Sequence, residues 1–260
     1  MQIIDDAKKD LEEFRNDFNG YQKKVDNLSA AMGFAGDCCF KSSFMPTYYA
    51  GNLKKENMVV IIGANPGWND NGNKVEENLK KKDYFGFLDN FFTEFYNNNL
   101  SSRYYENNNR IWGLIQNLTG EQVQNRKEKY DVLQNHVINI DVIPYHSKKF
   151  CTPANTQYAN NYLNKCKCNL EKYIKELHSP RLLIFNTAIT KTLLNLNINS
   201  NNCLTFTRNN NRVNKMYMFD YNGVRSVYFD AQLGSLANPT TSNDMQDAAS
   251  FILAAEQKQP

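Results

Sequence analysis

No run in these 260 residues approaches the ~18 consecutive apolar positions of a membrane helix, which argues against a helical span. The opening stretch, MQIIDDAKKDLEEF, is acidic and amphipathic. It lacks the basic start and apolar run of a secretory leader, so a cytoplasmic protein is expected. Neither a Gly-x-Gly-x-x-Gly nor a Gly-Lys-Ser/Thr loop occurs, which argues against a nucleotide or sugar-phosphate enzyme. Charge of neither sign dominates: 30 Lys and Arg face 27 Asp and Glu, for a net charge of +3. That excludes a histone-like composition but permits a polyanionic partner. There is no internal repeat and no clear linker, so residues 1–260 are expected to form one domain, with 1–50 as a helical extension packed on it.

What is present reads as a globular chain, 41% hydrophobic and 22% charged. Residues 4–32 carry Leu11, Phe14, Phe18, Tyr21, Val25 and Leu28 at helical spacing, which predicts one long amphipathic helix. The apolar run 58–63 predicts a buried parallel strand, and 136–145 and 181–186 predict two more. Helices are expected over 86–97, 110–119, 155–177 and 187–196, and a last one over 241–256 with Ser242, Asn243 or Asp244 as cap. Asn222-Gly223 between two aromatic-rich runs predicts a hairpin. Strand–helix alternation of this kind predicts a three-layer α/β/α sandwich around a mostly parallel sheet. The six cysteines (Cys38, Cys39, Cys151, Cys166, Cys168 and Cys203) are read as mostly reduced, buried thiols.

In open parallel sheets ligands bind beyond the carboxyl ends of the strands. The first strand ends in Gly63-Ala64-Asn65-Pro66-Gly67-Trp68, the second in Asp141 and then IPYHS, the third in Asn186-Thr187, and the hairpin in Asp230-Ala231-Gln232-Leu233. Each end offers polar groups to a ligand.

The loop Gly63–Gly67 resembles the Gly-x-Asn-Pro-Gly water-activating loop of the mismatch-specific and single-strand-selective branches of the uracil-DNA glycosylase superfamily. The likeness continues through NIDVIPYHS, PRLLIFNTAITKTLL and VYFDAQLGS, in the family's order, over residues 58 to about 256. It implies a monofunctional DNA glycosylase, a monomer without membrane or small-molecule partner. No lysine lies within the motifs to form a Schiff base. By resemblance Asn65 holds the attacking water, and the backbone of Gly63, Ala64, Pro66 and Gly67 lines the base or a phosphate. Tyr84 and Phe85 fall where the family keeps its stacking ring, with Trp68 as competitor.

Two departures from the family bear on the substrate. Asp141 stands where the family has a base-reading asparagine, with Asn139 as the rival position. An ionised carboxylate only accepts hydrogen bonds, so it suits an exocyclic amine and repels a uracil carbonyl. That points to a modified cytosine, including a glucosylated one in phage DNA. The alternatives are a uracil or hypoxanthine glycosylase, and a module that binds nucleic acid without catalysis. Asp230 stands near the family's catalytic histidine and Gln232 near its serine, and His146 is the histidine that could substitute. Leu233 or Leu236 could be the wedge that replaces a flipped base, with Ser235 a DNA contact in the same loop. Lys148 and Lys149, with Lys80–Lys82, Arg208 and Arg212, are candidate phosphate contacts. Some family members hold an iron–sulfur cluster on four cysteines. Cys38, Cys39, Cys151 and Cys166 or Cys168 fall in the corresponding places, but adjacent Cys38-Cys39 is poor spacing for a cluster, so no metal and no cofactor is expected.

Overall fold

In a computed structural model of the chain, residues 1–67, 83–186, 188–198, 202–207, 213–230 and 241–257 are described. Their strands are β1 (Tyr49–Ala50), β2 (Val59–Gly63), β3 (Val137–Asp141), β4 (Leu182–Asn186), β5 (Cys203–Thr207), β6 (Val213–Tyr221) and β7 (Val224–Phe229). They form one sheet in the order β1-β3-β2-β4-β7-β6-β5. The central strands β3, β2, β4 and β7 run parallel, and β1, β6 and β5 extend the edges antiparallel.

The described helices are α1 (Gln2–Asn16), α2 (Phe18–Ala31), α3 (Tyr84–Asp89), α4 (Phe91–Asn97), α5 (Arg103–Glu106), α6 (Ile111–Thr119), α7 (Arg126–His136), α8 (Gln157–Glu176), α9 (Ala188–Leu194) and α10 (Ser242–Glu256). Because side chains alternate along a strand, the unbroken apolar runs feed two cores. Val60, Ile62, Ile138, Ile140, Leu183 and Phe185 pack with side chains of α1, α2, α3, α8 and α9. Val59, Ile61, Val137, Leu182 and Ile184 pack with those of α4, α6, α7 and α10. Helices thus cover both faces of the sheet. Among the described residues no helix is long and apolar enough to cross a membrane.

Several sequence expectations are corrected. The long first helix breaks at Asp17, whose backbone is non-helical and whose side chain accepts from Gly20 N–H. Aspartate favours such a cap over a helix interior. The helix expected over 86–97 breaks at Asn90, which leaves helical geometry and whose Nδ2 donates back to Gly86 O instead of capping the next helix. Thr241, not one of the next three residues, caps α10, in a reciprocal box with Asp244. Helix α7 and strand β5 were not anticipated. The hairpin turn forms with Asn222 and Gly223 both at positive φ, 54° and 83°; two such residues match the right-handed twist of the strands.

Not all the cysteines are thiols. Cys38 and Cys151 form a disulfide across 113 residues, with Cα atoms 5.8 Å apart. The loops that carry them are already zipped together, since Lys41 N–H donates to His146 O and Lys149 N–H to Asp37 O. Cys39, Cys166, Cys168 and Cys203 are free. Two of the four cysteines considered for a cluster are therefore bonded to each other. Among the described residues no group of three or more His, Cys, Asp or Glu is arranged to hold a metal.

A candidate active site at the carboxyl edge of the sheet

Strand β2 sits between β3 and β4, and the chain leaves it first toward one neighbour and then crosses to the other. Its carboxyl end is thus a topological switch point, where such sheets form crevices. The register aligns Gly63 with Asp141 and Ile62 with Phe185, and places Asn186 beside Phe229. Gly63, Asp141 and Asn186 therefore end three adjacent strands in one row.

The loop after β2 continues the pairing. Val142 and Ile143 N–H donate to Gly63 and Ala64 O, Ser147 N–H donates to Pro66 O, and Gly67 bridges to Ser147. This fixes Asn65. Its Nδ2 donates to Tyr145 O and Ser147 Oγ at 2.9 Å each, and to Pro66 O at 3.2 Å. Ser147 Oγ in turn donates to Lys149 O. With the amide nitrogen committed, Oδ1 is the side that remains to accept. No described residue donates to it. Tyr145 is itself held by Asp10, which accepts from the hydroxyls of Tyr145 (2.7 Å) and Tyr48 (2.9 Å) and from Lys24. The N-terminal helices thereby brace the loop.

Asp141 is buried, and a Cβ on Gly63 would lie 2.1 Å from its Oδ1. Glycine at 63 is the space that the carboxyl occupies. Asn139 Nδ2 donates to Asp141 Oδ2 at 3.2 Å, so both lie on one face, as alternation requires. Burial pushes the Asp141 carboxyl up to about 7, against the opposing Asn139 hydrogen bond.

The other wall comes from the α5 turn. Glu106 ties that turn to α7, accepting from Arg126 Nε at 3.1 Å and from the Tyr130 hydroxyl at 2.7 Å. Tyr104 then reaches Asn186, whose Nδ2 donates to the Tyr104 hydroxyl at 2.6 Å. Burial raises Tyr104 well above the usual phenol range; the nearby Asp141 carboxylate adds to this and Arg110 opposes it. A shallow groove beside the turn is lined by Glu106, Asn107, Asn108, Asn109, Thr241 and Ser242.

Other residues singled out in the sequence are placed elsewhere or are engaged. His146 is buried, with Nε2 bonded to Thr47 Oγ1 at 2.9 Å and a ring edge-on to Phe44 at 5.7 Å. Burial lowers it to about 4, with the Gly67 backbone opposing. It is a neutral link between two loops. Asp230 Oδ1 accepts from Lys215 N–H at 2.7 Å and closes the hairpin. By alternation from Phe229, it faces the side of the sheet opposite Asp141. Tyr84 is a core ring whose hydroxyl donates to Pro46 O, which leaves half-buried Phe85, edge-on to it at 4.9 Å, as the stacking candidate of the pair. Lys148 and Lys149 are exposed, Lys148 within 3.6 Å of Asp37. Trp68, Gln232, Leu233, Ser235, Leu236, Lys80–Lys82, Arg208 and Arg212 lie outside the described residues.

Two of the shifted groups, Asp141 and His146, make opposite contributions to stability against pH. Asp141 moves up from an ordinary 3.8, so its contribution is present at low pH and lost as pH rises through about 7. His146 moves down from 6.5, so its contribution is present above 6.5 and lost as pH falls toward 4. Over their common window each shifts stability by roughly 1.4 kcal/mol per pH unit, with opposite sign. Asp141→Asn removes one of the pair. Urea unfolding at pH 4.5, 5.5 and 6.5 should show stability rising with pH more steeply in the variant than in the parent chain. Equal slopes would mean that folded Asp141 is ionised throughout.

No protein-family model matches the sequence, and no curated protein is similar enough to serve as a relative.

Proposed function

We propose that the chain is a monofunctional DNA glycosylase that takes a modified cytosine, such as one in phage DNA, out of the stack and hydrolyses its N-glycosidic bond. The observation that carries this is the buried Asp141 carboxyl, seated on Gly63 beside the loop that presents Asn65 Oδ1. A neutral carboxyl offers one O–H donor and one carbonyl acceptor. Cytosine offers the complement, an N3 acceptor and an N4 amine. The likeness of Gly63–Gly67 to the glycosylase loop supports the same reading.

Hydrolysis then follows a dissociative course. The C1′–N1 bond breaks and its electron pair leaves with the base, giving an oxocarbenium-like sugar. A water accepted by Asn65 Oδ1 adds to C1′ and releases its proton to solvent. The departing pyrimidine anion takes a proton from solvent. An amide is no strong base, so Asn65 acts by position. Asp141 orients the base through N3 and N4.

The test uses the purified full chain on duplex and single-stranded DNA carrying uracil, hypoxanthine, hydroxymethylcytosine or glucosylated cytosine, followed by alkaline cleavage at abasic sites. Abasic sites confined to the modified-cytosine DNAs are expected. Excision of uracil would make Asn139 the reader instead. Binding without any abasic product would mean a module that only holds nucleic acid.

A further inference from the structure

A departing pyrimidine anion needs donors aimed at it, because stabilising the leaving group is the main lever of such a site. The groups that the sequence suggested for this do not supply them: burial keeps His146 neutral, with Nε2 bonded to Thr47 and Nδ1 enclosed without a hydrogen-bond partner, and Asp230 is bonded to Lys215. Two other groups, one of them bonded to the row of strand ends, each keep a donor without an acceptor among the described residues.

The first is Tyr104. Its oxygen accepts from Asn186 Nδ2 at 2.6 Å, which orients the phenol. The hydroxyl proton then has no acceptor among the described residues. The second is Arg110, the residue that starts α6, whose Nε is buried without a hydrogen-bond partner. No described carboxylate pairs with it. A guanidinium cannot shed its charge, and a buried orphan donor costs about 1–3 kcal/mol. Such a group calls for a partner that arrives later. Arg110 follows Tyr104 across the short turn that joins α5 to α6, closed by Arg110 N–H donating to Asn107 O, and its charge opposes the rise of the Tyr104 hydroxyl.

We infer that Tyr104 and Arg110 form the leaving-group site: the Tyr104 O–H and the Arg110 guanidinium hold the negative charge that develops on the base as C1′–N1 breaks. This rests on the glycosylase reading and names the residues that replace the missing histidine. Neither group transfers a proton. Tyr104 donates a hydrogen bond, Arg110 supplies fixed charge, and Asn186 positions the phenol.

The experiment measures single-turnover excision by the full chain, Tyr104→Phe, Arg110→Met and Arg110→Lys. The substrates are matched DNAs with formylcytosine, a good leaving group, and hydroxymethylcytosine, a poorer one. Tyr104→Phe and Arg110→Met should each lose about 10²-fold on the poorer leaving group and clearly less on the better one, with DNA affinity unchanged. Arg110→Lys should recover part of the loss. Tyr104→Phe removes one oxygen, so it decides the matter should Arg110→Met fail to fold. Rates within about threefold of the parent, or equal losses on both substrates, would overturn the assignment while leaving the glycosylase reading intact. A parent chain inactive on every DNA would overturn both.

Discussion

Asn65→Ala is expected to lower base excision by on the order of 10²–10³-fold, the usual loss when one preorganised polar group is removed from a reacting centre. Affinity for uncleaved DNA should hardly change, because the amide's network reaches Lys149 only at its backbone carbonyl and leaves the exposed lysine side chains that would meet phosphate in place. The mechanism of loss is testable with a second substitution. Asn65 Nδ2 is held by two carbonyls, Tyr145 O and Pro66 O, and by a hydroxyl that is itself spent on Lys149 O. Asn65→Asp sets a carboxylate oxygen against those carbonyls and removes the donor that fixes the loop. If Asn65 acts by aiming a water, Asn65→Asp should be as damaging as Asn65→Ala. If the position instead works as a proton acceptor, the stronger base should retain or gain activity. Single-turnover rates on one modified-cytosine DNA separate the two outcomes.

The frame of this site was legible in the sequence because it depends on local signals. Continuous apolar runs marked the buried parallel strands, and the polar residues just past them fell at the carboxyl edge. Asn222-Gly223 specified its own turn. What was not legible depends on distance in the chain. Asp17 and Asn90 interrupt stretches whose apolar spacing is helical, because a side chain bonded to nearby backbone outweighs periodicity at one residue: Asp17 caps the helix after it, and Asn90 Nδ2 donates back to Gly86 O. The Cys38–Cys151 pair is set by two loops that meet only in the folded chain. Tyr104 and Arg110 sit in SSRYYENNNR, which reads as a polar connection; the Glu106 anchor to α7 and the packing of Tyr105 edge-on to Phe92 carry Tyr104 to Asn186. Asn186, noted only as a strand end, gave the nearest hint.

The base itself is the second point at which one substitution should have a large effect. Asp141→Asn replaces a group that can be a neutral acid with an amide. Asn139 Nδ2 already donates to Asp141 Oδ2, so in the variant the carbonyl oxygen should take that place and the new Nδ2 should face the pocket. That amide donates to a uracil O4 and accepts from N3–H, the reverse of what cytosine needs. A site built to hydrogen-bond its ligand rejects the mismatched analogue by large factors. The ratio of modified-cytosine to uracil excision should therefore fall by on the order of 10³ or more, mostly through loss of the cytosine reaction. The pH profile gives an independent reading. Only the protonated carboxyl donates to N3, so kcat/KM of the parent chain on modified cytosine should decline as pH rises through about 7, where burial has placed Asp141. The variant has no such group and should show no limb there. A preference that stays put, together with a limb that survives the substitution, would move the reading of the base from Asp141 to Asn139. It would leave Asp141 as a buried carboxyl that Gly63 merely accommodates.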